Sequence, residues 1–249
     1  MCDLLKYYIN NEEILLFYGN ELNSKHDFRI SNNGFIKDID TLLFFDSRGV
    51  SRQFDNSLVD QVIRNLPEGC IYLLVSRPLE ITTWMTLYNF IRLNEIKPKR
   101  IITNMGFVDF TPKKMSIIEK SVCQYDLYFD KRDAEIKFLE KYMTQNEGEL
   151  SLYQQMYPEK FNSSLMDLLS SCNTIILNTP LLVSDYIFES SRPTSFFEAV
   201  KKSNQFNCLL QMPKIVFDFN EFDNTETYDG VHYTEKGNKL IFSYIQKYL

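Results

Sequence analysis

From residue 40 onward, short unbroken apolar runs alternate with stretches whose apolar positions recur every three or four residues. The first run, Thr41-Leu42-Leu43-Phe44-Phe45, stops at Asp46-Ser47. A run without interleaved polar positions suits a strand buried on both faces, as in a parallel sheet. The pattern repeats at Ile71-Tyr72-Leu73-Leu74-Val75, Arg100 to Met105, Thr174-Ile175-Ile176-Leu177 and Ile215-Val216-Phe217-Asp218. Between the runs, Asn56 to Leu66 places Leu58, Val59, Val62, Ile63 and Leu66 on one helical face. Ile81 to Leu93, Met115 to Val122 and Thr194 to Cys208 also read as helices. A last helix from Glu235 turns Leu240, Ile241, Tyr244, Ile245 and Tyr248 inward.

Strands alternating with helices predict an α/β domain: a five-stranded, mainly parallel sheet with helices on both sides. Residues 1–37 lack this regularity and are expected to form an N-terminal extension, with a candidate strand at Ile14-Leu15-Leu16-Phe17-Tyr18. Residues 124–170 are rich in Glu, Lys, Tyr and Leu and read as a helical insertion broken near Gly148 and Pro158, a candidate cap. There is no internal repeat and no Gly/Ser- or Pro-rich linker, so residues 1–249 are expected to be a single domain. In such a sheet, sites lie beyond the carboxyl ends of the strands. The loops to search therefore open at Ser47, Ser76, Gly106 and Pro180 and after Asp218.

Composition narrows the chemistry. The 249 residues are 44% hydrophobic and 24% charged, with a net charge of −6, which fits a folded domain and gives no global basic footprint for nucleic acid. Five cysteines stand far apart with no CxxC pair. A disulfide framework or zinc knuckle is not expected, and a reducing, cytoplasmic compartment fits. No basic n-region precedes the first apolar residues, so no signal peptide is expected. No apolar run approaches the roughly 18–20 residues of a membrane helix. Only two histidines occur, His26 and His232. That excludes a His-rich metal site, and no Gly-rich phosphate loop is present; neither metal nor cofactor is expected.

Asp229 and His232, in Tyr228-Asp229-Gly230-Val231-His232-Tyr233-Thr234, are three residues apart in the loop before the last helix. The spacing brings a carboxylate to imidazole Nδ1 and frees Nε2 as a base; it equally suits a capped turn. Ser47 sits where the first strand ends, either as a nucleophile in need of a base or as an N-cap. Arg48 and Arg77 fall on the same predicted edge, either as substrate-anion contacts or as surface arginines.

Asp46-Ser47 after the first strand, with Asp229-Gly230-Val231-His232 before a C-terminal helix containing Gly237, resembles the SGNH, or GDSL, hydrolase family over roughly residues 40–249. The resemblance implies a flavodoxin-like αβα sandwich and ester hydrolysis, with Ser47 as nucleophile, His232 as general base and Asp229 orienting His232. His26, ahead of the first core strand, reads as a surface residue. Four positions depart from the family's blocks. Phe45 replaces a Gly, Val108 stands where an Asn side chain donates to the oxyanion, Ser76-Arg77-Pro78 offers no clear second-block Gly, and Tyr233 follows the histidine where Pro is usual. Losing one oxyanion donor typically costs about 10²–10³ in rate. Candidate substitutes are the Ser47 backbone N–H, Gly49, which permits close approach, and Asn104 near Gly106. The expected activity is hydrolysis of an acyl ester, for instance an O-acetyl group, on a small molecule or carbohydrate. A carbohydrate O-acyltransferase using the same triad, and an inactive module that only binds, are the alternatives.

Overall fold

The computed structural model describes residues 4–9, 12–17, 26–28, 39–50, 56–67, 69–76, 83–93, 95–114, 144–146, 149–151, 159–181, 195–210, 222–223 and 225–249. The core strands are β4 (Thr41–Phe45), β5 (Gly69–Ser76), β6 (Arg100–Thr103) and β10 (Asn173–Ile176). They run parallel in the order β5-β4-β6-β10, with Leu43 opposite both Leu73 and Ile102, and Ile175 opposite Ile102. These are four of the five predicted core strands; the fifth, residues 215–218, lies outside the described residues, as does the predicted helix at 115–122.

The apolar runs of β4, β6 and β10 are buried on both faces because each of these strands feeds two cores. Leu42, Phe44, Ile101 and Ile176 pack on one side with Trp84, Leu87, Leu165, Val200 and Phe206. Leu43, Phe45, Leu73, Ile102 and Ile175 pack on the other with Leu58, Val59, Val62, Ile63, Ile241 and Ile245. The first side is covered by helices α2 (Trp84–Leu93), α3 (Phe107–Phe110), α4 (Glu159–Ser170) and α5 (Ser195–Leu209). The second is covered by α1 (Leu58–Asn65) and α6 (Glu235–Ile245). Burying such side chains stabilises by about 1.5–3 kcal/mol each relative to exposure, and the result is the three-layer arrangement read from the alternation.

Three differences stand out. The N-terminal extension is part of the sheet, and its candidate strand at residues 14–18 is the second of three strands. The strands β1 (Leu4–Ile9), β2 (Glu12–Phe17) and β3 (His26–Phe28) join it: β1 and β2 pair antiparallel, β2 continues onto β5, and β3 lies parallel to β5. The physical reason is the edge of β5 opposite β4, whose unpaired backbone groups need a partner. The insertion at 124–170 is not helical throughout. It contributes β8 (Thr144–Asn146) and β9 (Glu149–Ser151), and β9 pairs with β7 (Pro112–Lys114) before α4 begins. The Gly148 break read in the sequence falls between β8 and β9. Finally, α6 ends at Ile245 and a 3₁₀ turn follows, so Tyr248 is exposed rather than inward.

Among the described residues no helix is long and apolar enough to cross a membrane. A groove of about 1020 Å³, lined by Tyr88, Ile96, Lys99 and Leu168 among others, opens near the amino ends of β6 and β10, the edge opposite Ser47.

Candidate active site

The last loop is shaped by side-chain-to-backbone bonds. Asp229 Oδ1 accepts the N–H groups of Val231 (3.0 Å) and His232 (2.8 Å), closing a tight turn. Gly230 sits at φ 80°, a left-handed conformation that glycine adopts without strain. Thr227 bridges to Tyr233, and the Tyr228 N–H donates to the His232 carbonyl at 2.8 Å. Thr234 then caps α6 by accepting the Gly237 N–H at 3.2 Å. Gly237 is required for approach, since a Cβ there would stand 2.1 Å from the Glu226 carbonyl oxygen. The glycine of the sequence motif thus sets how closely α6 meets the loop carrying the histidine.

Within this turn Asp229 Oδ2 lies 2.9 Å from His232 Nδ1. Across the sheet edge His232 Nε2 lies 3.2 Å from Ser47 Oγ. One serine, one imidazole and one carboxylate, separated by 185 and 3 positions in sequence, form a continuous chain. Burial opposes the charge on Asp229. Hydrogen bonds from the His232 ring and from the backbone N–H groups of His232 and Val231 outweigh it and hold the carboxyl well below the usual carboxylate range. The carboxylate therefore stays charged and favours the proton on Nδ1, leaving Nε2 to accept from Ser47. The side chain of His232 is 23% exposed, so its edge meets solvent.

Ser47 opens a 3₁₀ turn, Ser47–Gly49, directly after β4, with Asp46 as its N-cap. Asp46 Oδ1 accepts the Arg48 N–H at 2.9 Å and the Asp46 carbonyl accepts the Gly49 N–H at 3.0 Å. The Ser47 N–H has no acceptor among the described residues. Phe45 points into the core and packs on Gly49, where a Cβ would meet Phe45 Cβ at 2.7 Å. The bulky residue at 45 is thus accommodated by the absence of a side chain at 49. Gly49 serves this contact, and its N–H is committed to the turn rather than to an oxyanion.

Asn104 follows the end of β6 and turns to Asp46. Its Oδ1 accepts the Asp46 N–H and its Nδ2 donates to Asp46 Oδ1, both at 2.9 Å. Val108 is half-buried against the first core and supplies no amide. Gly106 has φ 117°, and a Cβ there would stand 2.7 Å from Ser203 Oγ and 2.9 Å from Asn207 Oδ1. Its freedom lets α5 close on the loop after β6.

Arg48 is where structure and expectation differ most. It is not at the mouth of the cleft to receive a substrate anion; it is 1% exposed. Its Nε and Nη2 grip Asp46, Nη2 also donates to the Asn104 carbonyl (2.8 Å), Nη1 donates to Thr179 Oγ1 (2.5 Å), and its guanidinium stacks over Phe107. Burial works against its charge, but Asp46 more than compensates and keeps it above its ordinary value. Arg77 lies outside the described residues. Sequence reasoning also missed a polar cluster behind the loops. Asn207 donates to Asn178 and to the Met105 carbonyl and accepts from Trp84 Nε1, while Asn204 bonds both backbone groups of Thr179. The signal available was Asn178-Thr179-Pro180, a polar stop at the carboxyl end of a buried strand.

No protein-family model and no curated protein matches the chain. Solved structures do. A carbohydrate acetylesterase from Sinorhizobium meliloti aligns over 84% of this chain and 97% of its own, with a TM-score of 0.47 and 10% identity. A candidate GDSL-like lipase from Parabacteroides merdae aligns over 84% and 94%, with a TM-score of 0.43 and 13% identity. A peptidoglycan O-acetylesterase aligns over 72% and 46%, with a TM-score of 0.33 and 12% identity. The functional reading rests on the side-chain geometry.

Proposed function

We propose that the protein is a serine esterase of the SGNH type, acting on an acyl ester of a small molecule or carbohydrate. The observation that carries this is the Ser47–His232–Asp229 chain of hydrogen bonds at the carboxyl edge of a parallel sheet. A serine hydroxyl is a poor nucleophile until a base accepts its proton, and the base needs a group that fixes its tautomer. Ser47 Oγ attacks the acyl carbon as His232 Nε2 takes its proton. The oxyanion falls to the Ser47 N–H and to the second hydrogen on Asn104 Nδ2, the first being given to Asp46. Collapse breaks the ester C–O bond, and the imidazolium returns its proton to the leaving alcohol. Water then attacks the acyl-enzyme, losing its proton to Nε2, and Ser47 leaves reprotonated with release of the acid. The solvent-facing edge of His232 supports water as the acceptor. Five scattered cysteines with no CxxC pair favour a reducing compartment, and we assign the cytoplasm on that ground.

The test is a panel of acetylated sugars and a small aryl acetate, with acetate release measured with and without an added sugar acceptor. Acetate release independent of the acceptor is the expected result. Acceptor-dependent product would make the protein a transferase. Stoichiometric binding without turnover would make it a binding module.

A further inference from the structure

We infer that Arg48 is a positioning residue that locks the serine turn to the histidine loop. The inference rests on the esterase reading for its kinetic consequence but has a structural readout of its own. Four segments of the carboxyl edge meet at this one buried guanidinium: it is hydrogen-bonded to Asp46 of the serine turn, the Asn104 carbonyl after β6 and Thr179 after β10, and it interacts with the buried phenol of Tyr233. Tyr233 directly follows His232 and is 3% exposed, its ring edge-on to Phe222. Thr179 is in turn clasped by Asn204 of α5. One rigid fork therefore spans the loops bearing the nucleophile and the base. A lysine cannot reproduce this, because it offers a point charge in place of a planar set of donors. Ser47 and His232 come from opposite ends of the chain, and their 3.2 Å contact is fixed through this fork. A misplacement of 1 Å at reacting groups can cost about 10²-fold in rate.

The Tyr at 233 and the Arg at 48 act as a pair: the phenol on the histidine loop meets the guanidinium on the serine turn. Phe45 and Gly49 complete the same turn from the other core.

The experiment uses Thr179→Val and Tyr233→Phe, each removing one oxygen without changing shape, together with Arg48→Met and Arg48→Lys. Two measurements are made on each: kcat and KM on an aryl acetate, and the ring ¹⁵N signals of His232. With only two histidines in the chain, His26→Gln assigns those signals. Thr179→Val and Tyr233→Phe are expected to melt near the wild-type temperature. Their kcat should fall about 10-fold, a fraction of the 10² cost above, with KM nearly unchanged, and the Nε2 signal should move toward that of Ser47→Ala. Arg48→Lys should not restore what Arg48→Met loses. Folded Thr179→Val and Tyr233→Phe proteins with an unmoved Nε2 signal and wild-type kcat overturn the clamp while leaving the esterase standing. A moved Nε2 signal in the two variants, with a wild-type protein that hydrolyses no ester, upholds the clamp and removes the esterase reading. If Arg48→Met does not fold, the two isosteric variants decide.

Discussion

Ser47→Ala is expected to lower kcat by roughly 10⁴–10⁶ while leaving KM little changed. The lower bound is set by what survives: the backbone N–H at position 47 and the binding site remain, and such residual machinery can retain a rate about 10³–10⁴ above water. The variant should fold normally. The Ser47 side chain is only partly buried, and the turn around it is held by Asp46, Arg48 and Asn104 rather than by the hydroxyl. His232→Ala should cost about as much as Ser47→Ala, and the double variant little more, because the two side chains act as one unit. Initial-rate kinetics on an aryl acetate, with circular dichroism as a check on folding, measures this. Additive losses in the double variant would separate the two residues and argue against a shared proton transfer.

Asp229→Asn is the second large effect, with kcat falling by about 10⁴. The replacement keeps one oxygen to accept the Val231 and His232 N–H groups, so the turn is retained. The amide nitrogen, however, donates to Nδ1 and drives the ring proton to Nε2, where it faces Ser47. The same variant has a pH signature in stability. The folded-state carboxyl of Asp229 is held below its unfolded value. Its contribution is therefore fully present above the unfolded value, about pH 4, and is lost as pH falls through the lower folded one. Wild type should be the more stable protein at neutral pH, and the gap to Asp229→Asn should close in acid. Denaturant unfolding at pH 7 and at about pH 2.5, below that unfolded value, tests the sign. A gap that widens in acid would contradict it.

Much of this was legible in the chain because both signals were local. Two-sided burial writes itself as an unbroken apolar run, so Thr41–Phe45 and Asn173–Ile176 were found to within a residue or two. The Asp229–His232 pair lies in one turn, and its geometry follows from a spacing of three and a glycine at 230. Arg48 was not legible in the same way. Its surroundings come from residues 104, 179 and 233, far apart in sequence, and an arginine beside a candidate nucleophile reads as a substrate contact until those partners are seen. Asn104 turned on a boundary: the strand ends at Thr103 rather than Met105, and that shift delivers its amide to Asp46. The strand at residues 14–18 was legible and is β2, but its place in the sheet was not. Edge pairing depends on what the neighbouring strand leaves unsatisfied, which no local pattern records.

An Nε2 poised 3.2 Å from Ser47 Oγ should activate that serine. Labelling with a fluorophosphonate probe, followed by peptide mass mapping, tests it most directly, because only an activated serine reacts. A phosphonyl adduct is expected on Ser47 in the wild-type protein and none in Ser47→Ala or His232→Ala. A folded wild-type protein that takes no adduct at Ser47, or a His232→Ala variant labelled as fast as wild type, would contradict it.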